Sequence, residues 1–116
     1  MTDRLSDLTK LVLKFRADRD WARFHTPKEL AISLVVEAAE LLEIMQWRTG
    51  SQLKSALRRK RSELAAELAD CLHSILLLAH ELNIDLPQAF VYKLQQTAEK
   101  YPIEKSRGRP HKYTEL

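Results

Sequence analysis

The chain has 116 residues, with 19 basic side chains against 16 acidic ones, and a net charge of +3 is too nearly balanced to argue for a nucleic-acid binder on charge alone. Two glycines and four prolines amid abundant Leu, Ala, Glu, Lys and Arg disfavour a strand-and-turn architecture and predict one all-α domain over residues 1–116. The single cysteine, Cys71, excludes an internal disulfide, and no apolar run approaches the roughly 18 residues that a membrane-spanning helix needs.

In chain order, Asp3, Arg4 and Asp7 stand where a secretory signal would be apolar, so the expected location is cytoplasmic. Leu5, Leu8, Leu11, Val12 and Phe15 recur at steps of three and four and predict an amphipathic helix from Thr2 to about Asp18. Thr26 before Pro27 reads as an N-cap with proline in the first turn, opening a second helix that runs to about Trp47. Gly50 marks a break. The following basic segment, Gln52 to Arg61, is expected to be the main connector, with part of it open to helix. Ser62 is the expected cap of a third helix reaching about Leu82, and Asn83-Ile84-Asp85 with Pro87 predicts a turn and a fourth helix over Leu86 to about Lys100. The last residues, 101–116, carry Pro102, Gly108 and Pro110 and are expected to form a basic, extended tail.

Two acidic pairs lie within the most apolar of these helices. Glu37 and Glu40 are three residues apart, as are Glu67 and Asp70, and that spacing puts both members of a pair on nearly one side of a helix. At about 100° per residue, Leu30, Leu34, Leu41 and Ile44 share the face of Glu37, where an unpartnered carboxylate is costly to bury. Glu67 and Asp70 border a similar arc of Leu64, Leu68, Cys71, Leu72 and Ile75. Two such helices packed together would offer four oxygens to one volume, a ligand set suited to a hard divalent cation such as Mg²⁺. Such an ion suits phosphate chemistry, since it can bridge phosphate oxygens and activate water. No Gly-rich phosphate loop is present to offer another route.

At these residues the sequence resembles the MazG-like all-α nucleoside triphosphate pyrophosphohydrolases, whose pattern is E-x-x-E followed after a variable gap by E-x-x-D. Here 26 residues separate Glu40 from Glu67. The dCTP pyrophosphatase branch is similar at more positions, among them Arg19-Asp20-Trp21, Phe24-His25, Pro27, Gln46-Trp47, Asp85-Leu86-Pro87, Lys93, Tyr101-Pro102 and the ending Lys112 to Leu116. Val12 and Thr97 depart from it, standing where relatives have histidine and asparagine. The resemblance implies a four-helix-bundle-like subunit in a homo-oligomer, a tetramer or else a dimer. It also implies Mg²⁺-dependent hydrolysis of a nucleoside triphosphate, dCTP or a modified dCTP, to the monophosphate and pyrophosphate, with Mn²⁺ as a substitute ion. Glu37, Glu40, Glu67 and Asp70 match its metal-ligand and catalytic positions, and Trp21 and Trp47 match aromatics that enclose the base.

His25, just before a helix start, and the cationic or phenolic side chains Lys93, Tyr101, Lys112 and Tyr113 are the remaining candidates for substrate contact. His73 and His80 lie on one side of the third helix but lack the cysteine or third histidine of a zinc set. Arg58 to Arg61 reads as a solvated connector rather than a nucleic-acid patch. The rival readings are a related phosphohydrolase of dUTP or phosphoribosyl-ATP, a nucleic-acid-binding helical module, and a purely structural bundle. Neither of the last two explains carboxylates on apolar faces.

Overall fold

The computed structural model describes residues 4–116 and is all-α, with six α-helices, two 3₁₀ turns and no strand among the described residues. The chain divides into two compact units, the first ending at Asn83 and the second running Ile84–Leu116. In the first unit α1 (Arg4–Asp18), α2 (Pro27–Glu43), α3 (Gly50–Arg59) and α4 (Arg61–Glu81) follow one another, and α4 packs most extensively on α2 and also on α1 and α3. The expected start of α1 at Thr2 lies outside the described residues.

The helix ends follow local chemistry. The Arg16 carbonyl accepts from both Arg19 N and Trp21 N, and Asp20 takes a positive φ of 55°, a conformation that Asp tolerates better than most residues. A 3₁₀ turn, Ala22–Phe24, then delivers the chain to Thr26, whose side chain accepts from Glu29 N at 3.2 Å, as the Thr-Pro pattern predicts. Helix α2 stops at Glu43 rather than at Trp47. Met45 N bonds Leu42 O and Arg48 N bonds Met45 O, so the last predicted turn tightens to three-residue spacing.

Two further expectations are corrected at the connector. Gly50, at a φ of +54° that costs glycine no Cβ clash, opens a ten-residue helix over what reads in sequence as a partly helical link. Ser62 is not the cap of α4. Lys60 alone separates the two helices: its N–H donates to Ala56 O and its carbonyl accepts from Leu64 N, so backbone bonding passes from one helix to the next through a single residue.

The first unit's core is narrow: Leu30 of α2, Ala56 of α3, and Leu76 and Leu77 of α4 are buried. Burying a leucine contributes roughly 1.5–3 kcal/mol. Arg16 is buried too and pairs with Glu81 at 2.5 Å, tying α1 to the end of α4. Much apolar surface stays exposed, including Leu11, Val35, Leu42 and Leu68. In the second unit, Asp85 caps α5 (Leu86–Lys100) by accepting from Gln88 N, and the expected extended tail includes the short α6 (Ile103–Ser106) and a 3₁₀ turn at Tyr113–Glu115.

Candidate functional site

The acidic pairs meet where α2 and α4 pack together. One carboxylate oxygen from each of Glu37, Glu67 and Asp70 lies within 4.8 Å of the other two, a grouping able to hold a metal ion. Glu37 and Glu67 are half-buried, whereas Asp70 is exposed. Glu40, the fourth candidate, is exposed and lies beside this triad. An oxygen of Glu37 and one of Glu67 are enclosed with no hydrogen-bond donor among the described residues.

The electrostatics record the crowding. Burial pushes the Glu37 carboxyl up to about 7, reinforced by a shared hydrogen bond with Glu67 and by the charges of Glu40 and Asp70. Burial likewise raises Glu67, with Glu40 and Asp70 adding to it. Two carboxylates cannot bond each other without a proton or a cation between them. Cys71, half-buried and free, follows directly on Asp70, and burial raises its thiol pKa as well. The thiol therefore stays protonated beside the acids.

Different clefts open on either side of the cluster. One of about 210 Å³ is lined by Glu37 and Asp70 together with His25, Ser33, His73 and Ser74. Its rim is aromatic: Phe15 meets Trp21 edge-on at 5.7 Å and His73 at 6.2 Å, and Trp21 meets His25 at 6.5 Å. Arg19 caps the Phe15 ring at 3.8 Å. The pKa of His25 is lowered by its burial, with the Arg16 guanidinium and His73 acting in the same direction. Its Nδ1 is enclosed without a partner among the described residues, as is Nη1 of Arg16. The other cleft, about 470 Å³, is lined by Glu40, Glu43, Glu63 and Glu67 with Arg48 and Lys60.

Glu37, Glu67 and Asp70, with Glu40 next to them, and Trp21 with His25, are thus gathered in the first unit. Trp47 belongs to this unit as well, 86% exposed and with no ring partner among the described residues. Lys93, Tyr101, Lys112 and Tyr113 lie in the second unit, where Tyr101 and Tyr113 pack edge to face at 5.9 Å and Lys100 stands 4.7 Å from the Tyr113 ring. Arg48 and Lys60 line the larger cleft without having been proposed as site residues from sequence, and His73, considered there only as part of an incomplete zinc set, lines the smaller one. For Lys60 a signal existed: Leu53, Ala56 and Leu57 form a helical stripe that would have extended α3 up to it.

The MazG-like family model matches residues 32–116. The chain belongs to the MazG-like family. It is 38% identical to dCTP pyrophosphatase 1 of Mus musculus and 40% identical to that of Bos taurus, in each case over 97% of the chain and 67% or 68% of the relative. A pyrophosphatase structure from Archaeoglobus fulgidus superposes with a TM-score of 0.82 at 36% identity, covering 88% of this chain and 95% of that one. With such relatives the chain is a nucleotide pyrophosphohydrolase. Among the described residues, no helix is long and apolar enough to cross a membrane.

Proposed function

We propose that this MazG-like enzyme is a Mg²⁺-dependent hydrolase of dCTP or a modified dCTP, yielding the monophosphate and pyrophosphate. The observation that carries the reading is the triad of Glu37, Glu67 and Asp70, with two enclosed carboxylate oxygens that have no donor among the described residues. These residues fit a hard divalent cation, because all are oxygen ligands and the cluster's mutual repulsion is what a positive ion relieves. When bound, the ion supplies charge neutralisation on the triphosphate and a water of lowered pKa. Mn²⁺ substitutes on the same ligands.

Glu37, Glu67 and Asp70 would hold the ion, and Glu40 would complete the set or take the proton of the attacking water. Water adds to phosphorus, the α–β anhydride bond breaks, and pyrophosphate leaves. Trp21 and His25 receive the base, the indole by stacking and the imidazole Nδ1 by accepting a hydrogen bond from an exocyclic amine. The exposed Trp47 is available to a base held by its own or a neighbouring copy. Lys93, Tyr101, Lys112 and Tyr113, all in the second unit, are the further candidates for contact with the substrate. The exposed apolar surface of α1, α2 and α4 supports assembly into a homo-oligomer, a tetramer by preference.

The test is a panel of natural and 5-modified deoxynucleoside triphosphates, dUTP included, incubated with and without Mg²⁺ and resolved by product. Mg²⁺-dependent monophosphate plus pyrophosphate, fastest from a cytosine nucleotide, is expected. Diphosphate plus orthophosphate, or equal rates with chelator present, would rule the reading out.

A further inference from the structure

We infer that Arg48 and Lys60 form a receptor for the pyrophosphate end of the substrate, on the opposite side of the acidic cluster from the base. This rests on the proposed reaction and extends it to the leaving group. Glu40 and Glu67 of the cluster open onto the cleft of about 470 Å³ that Arg48 and Lys60 also line. No aromatic side chain lines that cleft, so it offers a base no stacking surface, whereas cations suit phosphate oxygens.

The two cations are held but not neutralised. Half-buried Arg48 donates from Nη1 to Ile44 O at 2.6 Å, which anchors the guanidinium, and no other side-chain hydrogen bond of Arg48 is present among the described residues. It makes no ion pair among the described residues. Arg48 also lines a second cleft of about 520 Å³ with Ser51, Gln52, Ser55 and Arg59. Lys60 meets Glu63 only at 3.6 Å, a loose pair that a more highly charged phosphate displaces. The single-residue joint between α3 and α4 sets the position of Lys60 by backbone bonds on both sides.

The cleft is also selective. Glu40, Glu43, Glu63 and Glu67 outnumber the two cations on its walls, so a free polyanion is repelled. Pyrophosphate would enter as the complex of a divalent ion, which the acids would hold, leaving Arg48 and Lys60 to bind the phosphate oxygens.

The experiment compares wild-type protein with Arg48→Gln, Lys60→Gln and Lys60→Arg. Calorimetry measures binding of inorganic pyrophosphate and of dCMP, each with Mg²⁺ present, and steady-state kinetics gives KM for dCTP. Each Gln variant is expected to bind pyrophosphate about tenfold more weakly and dCMP within about twofold of wild type, with Lys60→Arg restoring pyrophosphate binding. Arg48→Gln removes a backbone anchor as well, so circular dichroism accompanies it, and Lys60→Gln carries the test if that variant misfolds. Unchanged pyrophosphate affinity in Lys60→Gln, or equal weakening of pyrophosphate and dCMP, overturns the assignment. If the wild type releases diphosphate and orthophosphate instead, the proposed reaction fails while the calorimetric result still reports on Arg48 and Lys60.

Discussion

The two flanks of the acidic cluster differ in nearly every physical respect. The flank of about 210 Å³ carries His25 and His73 under a rim of edge-to-face rings, while the flank of about 470 Å³ has charged walls and no ring. A nucleoside triphosphate has the same asymmetry, a flat base at one end and a polyanion at the other. Under the proposed reaction, the difference teaches that the substrate's orientation would be set by side-chain chemistry on either side of a symmetric-looking set of carboxylates. Changes to the cluster should then abolish everything, and changes to one flank should separate base from phosphate.

The largest effect is expected at the cluster. Glu37→Gln keeps the shape of the side chain but removes a ligand from the triad, and kcat/KM should fall more than about 100-fold with helical content unchanged. Glu40→Gln should cost less, because Glu40 stands outside the tight triad. Full activity in Glu37→Gln would refute the assigned site. Equal losses in both variants would instead make Glu40 an equal ligand.

An intermediate effect separates the flanks. Trp21→Ala removes the indole that meets Phe15 and His25, and KM for the preferred triphosphate should rise roughly tenfold while kcat changes little. Discrimination between cytosine and thymine nucleotides should shrink with it. A Trp21→Ala enzyme with unaltered base preference but weaker pyrophosphate binding would reverse the orientation given above.

The acidic cluster was legible in the sequence because it needs only helical periodicity. Glu37 among Leu30, Leu34, Leu41 and Ile44 is anomalous on any helix, and a second acidic pair in similar company supplies its partner. Thr26 with Pro27, and Asp85 with Pro87, fixed two helix starts through local bonds that the structure contains. Helix α3 was hidden because five bases between Lys54 and Arg61 mask the Leu53-Ala56-Leu57 stripe that buries Ala56. The cationic flank was illegible for a different reason. Arg48 follows the end of α2 and Lys60 precedes α4, and only the packing of those helices brings them to one cleft. The Arg16–Glu81 pair, 65 residues apart in sequence, depends on tertiary structure in the same way.

The smallest expected effect concerns stability, and it tests what the two flanks share. In chelated protein the folded Glu37 titrates near 7, above its ordinary value of 4.5. Its folded pKa is raised, so the folded state binds the proton more tightly than the unfolded chain does. The associated stability is fully present below 4.5 and is lost as pH rises through 7. Thermal unfolding in chelator should therefore show a Tm lower by a few degrees at pH 8 than at pH 6. Mg²⁺ should raise Tm most at pH 8, where the ionised cluster both repels itself and binds the ion best. Glu37→Gln, unable to ionise, should flatten the pH dependence in chelator. A Tm that rises with pH in chelator would mean that Arg48 and Lys60 already compensate these acids. The larger flank would then be a salt-bridged wall rather than a receptor for phosphate.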